Sequence, residues 1–176
     1  MSIKNLMTVP LSNFDLSDLN KDINSTLGES KNLKVFTVEE MIRSPETFLK
    51  YLKSHGFTII FVNPDGQQIG HWLSIWTNKT GNYYFDSYGL SPQKSDVRLN
   101  SFLHRYLPNI KWNGVQYQAW KPEIATCGRW AMLTGGLSRI IPELNLTTIN
   151  TIMKALKKKT GDSYDKIVTK LVNEQL

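Results

Sequence analysis

The chain reads as an α+β domain, and three features predict it. Phe57-Thr58-Ile59-Ile60-Phe61-Val62 is rich in β-branched and aromatic residues, and two similar runs follow at His71–Trp76 and Tyr83–Asp86, so a small, mainly antiparallel sheet is expected. Cys127-Gly128 leads into the apolar run Trp130-Ala131-Met132-Leu133, which reads as the opening of a buried central helix. Apolar residues at helical spacing on either side of these runs predict helices around the sheet.

Taken in order, residues 1–33 are polar and poorly periodic and read as a flexible arm or a segment that wraps the domain. Thr37-Val38-Glu39-Glu40 has capping-box form, and Ser44-Pro45 restarts a helix with proline in its first turn. Phe48, Leu49 and Leu52 give that helix its apolar face, and His55-Gly56 ends it, which makes His55 a helix-terminal residue. The strand runs His71–Trp76 and Tyr83–Asp86 flank Asn78-Lys79-Thr80-Gly81, a hairpin turn signal. Val97, Leu99, Phe102, Leu103 and Tyr106 mark another helix, with His104 toward solvent. Ile110-Lys111-Trp112 and Val115-Gln116-Tyr117-Gln118 read as two strands joined at Asn113-Gly114. Ile149, Ile152, Met153 and Leu156 form a helical stripe ended by Gly161. Asp162 is placed to cap a last helix, whose stripe is Tyr164, Ile167, Val168, Leu171 and Val172.

A length of 176 residues suits one domain with a sizeable core. Hydrophobic content of 40% and charged content of 20% fit a globular protein. No apolar run approaches the ~18 residues of a membrane span, and the N-terminus lacks a signal-peptide core, so no membrane association is expected. One cysteine permits no internal disulfide and fits a reducing, intracellular compartment. His55, His71 and His104 lack metal-ligand spacing, so neither a metal nor another cofactor is expected.

Three separated fragments share one chemical logic: Gly70-His71-Trp72, Phe85-Asp86-Ser87-Tyr88-Gly89 and Thr126-Cys127-Gly128-Arg129-Trp130. A thiol attacks a carbonyl as thiolate, so it needs an adjacent base, and the base needs a third group to orient it. The hairpin register brings the start of the first strand beside the end of the second, which makes His71 and Asp86 neighbours although 15 residues separate them. Cys127 at a helix N-terminus meets the positive end of the macrodipole, which lowers its pKa. His71 is thus the candidate base, Asp86 its orienting acid and Cys127 the candidate nucleophile.

On these residues the chain resembles the cysteine proteases of the adenovirus-protease and ubiquitin-like-protease clan, the adenain-like enzymes of DNA viruses and mobile elements above all. The likeness rests on His71-Trp72, the Phe-Asp-x-x-Gly context of Asp86, a following glutamine, and Cys127-Gly128, and spans about Phe57 to Leu137. It implies an endopeptidase that cleaves after glycine or another small residue, with a glutamine side chain and the Cys127 N–H as oxyanion donors. Gln118 is the preferred glutamine because its loop to the cysteine is shorter; it lies nine residues before Cys127, and the runner-up Gln116 lies eleven before it. Both stand farther from the cysteine than is usual in the family. Trp72 is expected to shape the substrate channel, to be a core aromatic, or both.

The likeness further implies polypeptide substrates such as viral precursor proteins, and a location in the host cytoplasm or nucleus or in the virion. Alternatives are a deconjugase of ubiquitin-like proteins, a catalytically silent or DNA-binding virion protein, and an acetyltransferase of the same clan. The net charge of +6 and the run Lys154, Lys157, Lys158 and Lys159 offer either a face for phosphate backbones or a solvated helix surface.

Overall fold

A computed structural model describes residues 2–28, 32–63 and 70–173. Helices α1 (Ile3–Thr8) and α2 (Asn13–Leu27) come first, then β1 (Val35–Thr37), α3 (Val38–Arg43), α4 (Pro45–His55) and β2 (Phe57–Val62). The hairpin of β3 (His71–Asn78) and β4 (Gly81–Phe85) follows, then α5 (Pro92–Ser95), α6 (Val97–Tyr106) and β5 (Lys111–Trp112). Helices α7 (Cys127–Ile140), α8 (Leu146–Thr160) and α9 (Tyr164–Asn173) close the order. The chain is α+β.

One sheet runs in the order β1-β2-β3-β4-β5. Its three long strands are antiparallel, with Phe57 opposite Trp76 and Ser74 opposite Phe85. The short edge strands β1 and β5 pair parallel to β2 and β4, so the sheet is mixed at its rims. Successive strand side chains point to opposite faces. Ile59, Trp72, Trp76, Tyr83 and Phe85 meet Trp130, Met153 and Val168 on one face. Ile60, Leu73, Ile75 and Tyr84 meet Phe48, Leu52, Phe102 and Leu103 on the other. Burial on both faces explains why β2 and β3 are nearly continuous apolar runs. Trp130 of α7 is fully buried at the centre of the first layer; replacing it with alanine is expected to cost about 3–5 kcal/mol.

The polar N-terminal stretch forms two helices. Ser12 and Asp15 make a reciprocal capping box at the start of α2, and Leu16 and Leu19 form a narrow buried stripe. Two buried leucines are too faint a period to stand out in a polar sequence. In this stretch α1 packs on α9 and α2 on α7. Met1 and residues 29–31 lie outside the described residues. Thr37 and Glu40 make the expected capping box of α3, and Gly56 ends α4 in the left-handed conformation. No helix among the described residues is long and apolar enough to cross a membrane.

Two expectations fail on local chemistry. Ser163, whose hydroxyl accepts from Lys166 N–H at 3.3 Å, caps α9, while Asp162 pairs with Lys166 and Lys170 at 2.6 and 2.7 Å. Val115–Gln118 is not a strand, and the chain makes no hairpin at Asn113-Gly114. Asn113 instead uses its side chain as a substitute rung of the β4–β5 ladder. Its Oδ1 accepts from Asp86 N–H at 3.0 Å, and its Nδ2 donates to the carbonyls of Asp86 (2.7 Å) and Val115 (2.8 Å). The chain then passes alongside the turn after β4, where the N–H groups of Tyr117 and Gln118 both donate to Ser87 O at 2.8 Å. Asn113→Ala removes three hydrogen bonds to partly buried backbone and is expected to lower stability by about 2–3 kcal/mol in urea unfolding.

Candidate active site

The turn that follows β4 carries the acid. Gly89 N–H donates to Asp86 O at 2.8 Å, closing a four-residue turn, and Tyr88 N–H donates to Asp86 Oδ1 at 2.7 Å. Gly89 has φ of 73°, and a Cβ there would stand 2.7–2.9 Å from the backbone of Val115 and Gln116. The glycine of Phe-Asp-x-x-Gly is thus required both by conformation and by the segment pressed against it.

Asp86 is fully buried, and three donors meet its carboxylate. His71 Nε2 and Tyr88 N–H share Oδ1, and Ser95 Oγ donates to Oδ2 at 3.0 Å while accepting from Tyr84 OH at 2.8 Å. A buried carboxylate without such partners costs several kcal/mol. His71 opens β3 and reaches past the hairpin end, with Nε2 3.0 Å from Asp86. The acid therefore holds one ring nitrogen and leaves Nδ1 for the thiol. The side chain of His71 keeps 20% of its surface exposed while that of Asp86 keeps none, so access to the site is from the imidazole side.

Cys127 is the first residue of α7. Thr126 occupies the N-cap position but provides no side-chain cap, because its hydroxyl donates to Asp165 Oδ1 at 2.5 Å. The first turn of α7 therefore has no side-chain cap from Thr126, and Cys127 stands at the positive end of the helix dipole. His71 and the backbone N–H groups of Trp72 and Gly128 lie near enough to the thiol to favour its ionised form. A Cβ on Gly128 would sit 3.0 Å from Leu11 and 3.3 Å from Trp72, so a side chain after Cys127 would press on both.

The charges follow from this packing. Burial pushes the Cys127 thiol up, but the hydrogen bond and positive charge of His71 and the two backbone donors outweigh it, and the net shift is downward. Burial pushes His71 down, but hydrogen bonds to Asp86 and Cys127 and their negative charges reverse this and raise it to about 9. Both shifts favour a thiolate–imidazolium pair over the neutral one.

The remaining expected residues divide. Trp72 is buried and donates Nε1–H to Leu11 O at 3.1 Å, so it is a core aromatic that borders the start of α7. Gln118 is buried beside the turn: its Oε1 accepts from Ser87 Oγ at 2.8 Å, and its Nε2 donates to Tyr88 OH (3.0 Å) and Ile124 O (3.1 Å). Both amide hydrogens expected to serve an oxyanion are already engaged. Gln116 is exposed and donates Nε2–H to Gln118 O at 2.9 Å. Lys154, Lys157, Lys158 and Lys159 are all exposed on α8, and Lys157 lies over the Tyr164 ring at 4.6 Å. Among the described residues no cluster of three metal-ligating side chains forms.

Several residues at the site escaped sequence reasoning. Tyr88 stacks on the His71 ring at 5.0 Å between centroids, and Trp120 stacks on Tyr88 at 3.8 Å. Asp165 of α9 accepts from Ala119 N–H (3.0 Å) and Thr126 Oγ1, and so clamps both ends of the loop that leads to Cys127. Burial pushes the Asp165 carboxyl up, against the pull of those two donors. The N-terminal segment lies along the same edge, with Met7 O accepting from Ala125 N–H and Val9 O from the Arg129 guanidinium, each at 2.8 Å. Position inside a recognisable motif could have flagged Tyr88. Nothing local marks Asp165.

No protein-family model matches the chain, and no curated protein is detectably similar to it in sequence.

His71→Ala leaves the thiol buried without its cation. Its titration is then expected to move above the ordinary thiol range, and alkylation by iodoacetamide at pH 7 to slow by about tenfold or more, since each pKa unit is tenfold in thiolate fraction. A pH series of alkylation rates in both proteins reads this directly.

Proposed function

We propose that this chain is a cysteine endopeptidase of the adenain-like kind, cleaving polypeptides, viral precursor proteins among them, after glycine or another small residue. The observation that carries the reading is one imidazole set between two groups: a buried acid bonded to one nitrogen, and a thiol at a helix start whose ionised form His71 favours. Each member occupies the place its role requires.

The chemistry follows from those places. The Cys127 thiolate attacks the scissile carbonyl carbon, and its electron pair moves onto the carbonyl oxygen. The imidazolium of His71 gives its proton to the leaving amine as the tetrahedral intermediate collapses to a thioester. His71, now neutral, takes a proton from water, whose oxygen attacks the thioester and releases the acid and the thiolate. Asp86 orients the ring and balances its charge. The Cys127 N–H at the uncapped start of α7 faces the developing oxyanion.

A deconjugase of ubiquitin-like proteins would use the same steps on an isopeptide bond. A ubiquitin-like vinyl methyl ester and a Leu-x-Gly-Gly peptide substrate, offered in parallel, separate the two readings. Cys127→Ala is expected to abolish cleavage without unfolding the protein, and Cys127→Ser to retain a trace at most. Undiminished cleavage by Cys127→Ala sinks the assignment.

The pH dependence has a definite sign. The active ion pair exists above the lowered pKa of Cys127 and below the raised pKa of His71, so kcat/KM should fall as pH rises through about 9 and the imidazolium loses its proton. Asp86→Asn removes the negative charge that helps hold that proton and is expected to shift the alkaline limb to lower pH.

The lysines support a separate proposal, nucleic-acid binding. Lys166 and Lys170 are engaged by Asp162, whereas Lys154, Lys157, Lys158 and Lys159 project from α8 with no ion pair among the described residues. Duplex DNA is expected to bind without sequence preference at about 50 mM salt and to weaken steeply as salt rises. The fourfold change to glutamate should remove that binding and leave peptide cleavage intact.

A further inference from the structure

Resting on the peptidase reading, we propose that the phenolic O–H of Tyr88, and not the Gln118 amide, is the side-chain donor that meets the oxyanion beside the Cys127 N–H. The reason begins with hydrogen-bond accounting. An amide nitrogen has two hydrogens. Those of Gln118 go to Ile124 O and Tyr88 OH, and the Ile124 carbonyl, which can only accept, fixes which end of the amide points there. Ser87 Oγ donates to the opposite end. Gln118 is almost wholly buried, so freeing a hydrogen for substrate means breaking a bond inside the protein.

Tyr88 has the complementary position. Its oxygen accepts from Gln118, and its own proton has no acceptor among the described residues. The ring is stacked on one side by the imidazole of His71 and on another by Trp120. Its N–H is bonded to the same Asp86 oxygen that holds His71. The hydroxyl is therefore set at one end by Gln118, while the ring lies against the imidazole whose charge acts on the thiol. Burial, and then the negative charges of Cys127 and Asp86, push the phenol above its ordinary value. It keeps its proton across the pH range in which the ion pair exists, and it donates that hydrogen bond without transferring the proton. Gln118 acts as the positioning residue behind it.

Tyr88→Phe tests this, because it preserves both ring stacks and removes only the hydroxyl. The expected result is a fall in kcat of about a hundredfold, the size seen when one oxyanion donor is lost, with KM little changed. Affinity for a glycine-ended peptide aldehyde, which forms a tetrahedral oxyanion on the thiol, should fall by a similar factor. Iodoacetamide alkylation, a displacement that develops no oxyanion, should keep its rate and pH profile. Full kcat in Tyr88→Phe overturns the proposal, and so does a loss of kcat matched by an equal loss of alkylation, which marks a structural role. If the wild-type thiol is alkylated yet no glycine-ended substrate is cleaved, the peptidase reading fails. The aldehyde titration then still decides Tyr88, and equal affinity in both proteins, or none in either, overturns its role.

Discussion

Everything near the candidate site leans on one buried carboxylate. Asp86 has no contact with solvent, so its charge must be met inside the protein, and the neighbourhood is arranged to meet it. The turn closed by Gly89 supplies Tyr88 N–H, and the short helix α5 supplies Ser95 Oγ, itself fixed by Tyr84. The start of β3 supplies His71, and Asn113 holds the backbone of Asp86 from the far side. Replacing the acid with an apolar residue would leave a set of donors aimed at nothing, each with its own desolvation penalty. The same carboxylate organises both the candidate site and the end of the sheet.

Much of this was legible in the chain because it depends on local patterns. The strands declared themselves through β-branched and aromatic runs, and the hairpin through its turn. The order of His71, Asp86 and Cys127, each in a distinctive context, pointed to a shared site. What stayed hidden depends on distant partners. Val115–Gln118 alternates as a strand would, yet its N–H groups go to Ser87 and the Asn113 amide replaces the turn that sequence predicts. Gln118 looked like a donor in search of a substrate because the carbonyl of Ile124 and the hydroxyl of Tyr88 are invisible as its acceptors. Asp165 reads as an ordinary helix acid until folding places it under the loop 119–126. Helices α1 and α2 escaped because two leucines and a capping box carry little periodic signal.

The stacked rings add a separate constraint. On the proposed function, His71 serves as both cation and base, which needs freedom to change charge but little freedom to move. Tyr88 covers one face of the imidazole, Trp120 backs Tyr88, and Asp86 fixes the edge. Trp120 itself remains largely exposed, so it shields the stack from solvent without being part of the core. The rotation of the ring is restricted by apolar surface, and its protonation is governed by the polar edge.

The clamp made by Asp165 also sets an order of events during synthesis. It fixes Thr126 from 39 positions downstream and Ala119 from 46. A ribosome therefore delivers the thiol, its base and its acid before it delivers the group that holds the loop between them. Until α9 docks, a growing chain carries Cys127 in incomplete surroundings, and contacts of such long range are slow to form. On the proposed function, an enzyme born among other nascent polypeptides acquires its cutting edge only as its own fold is finished.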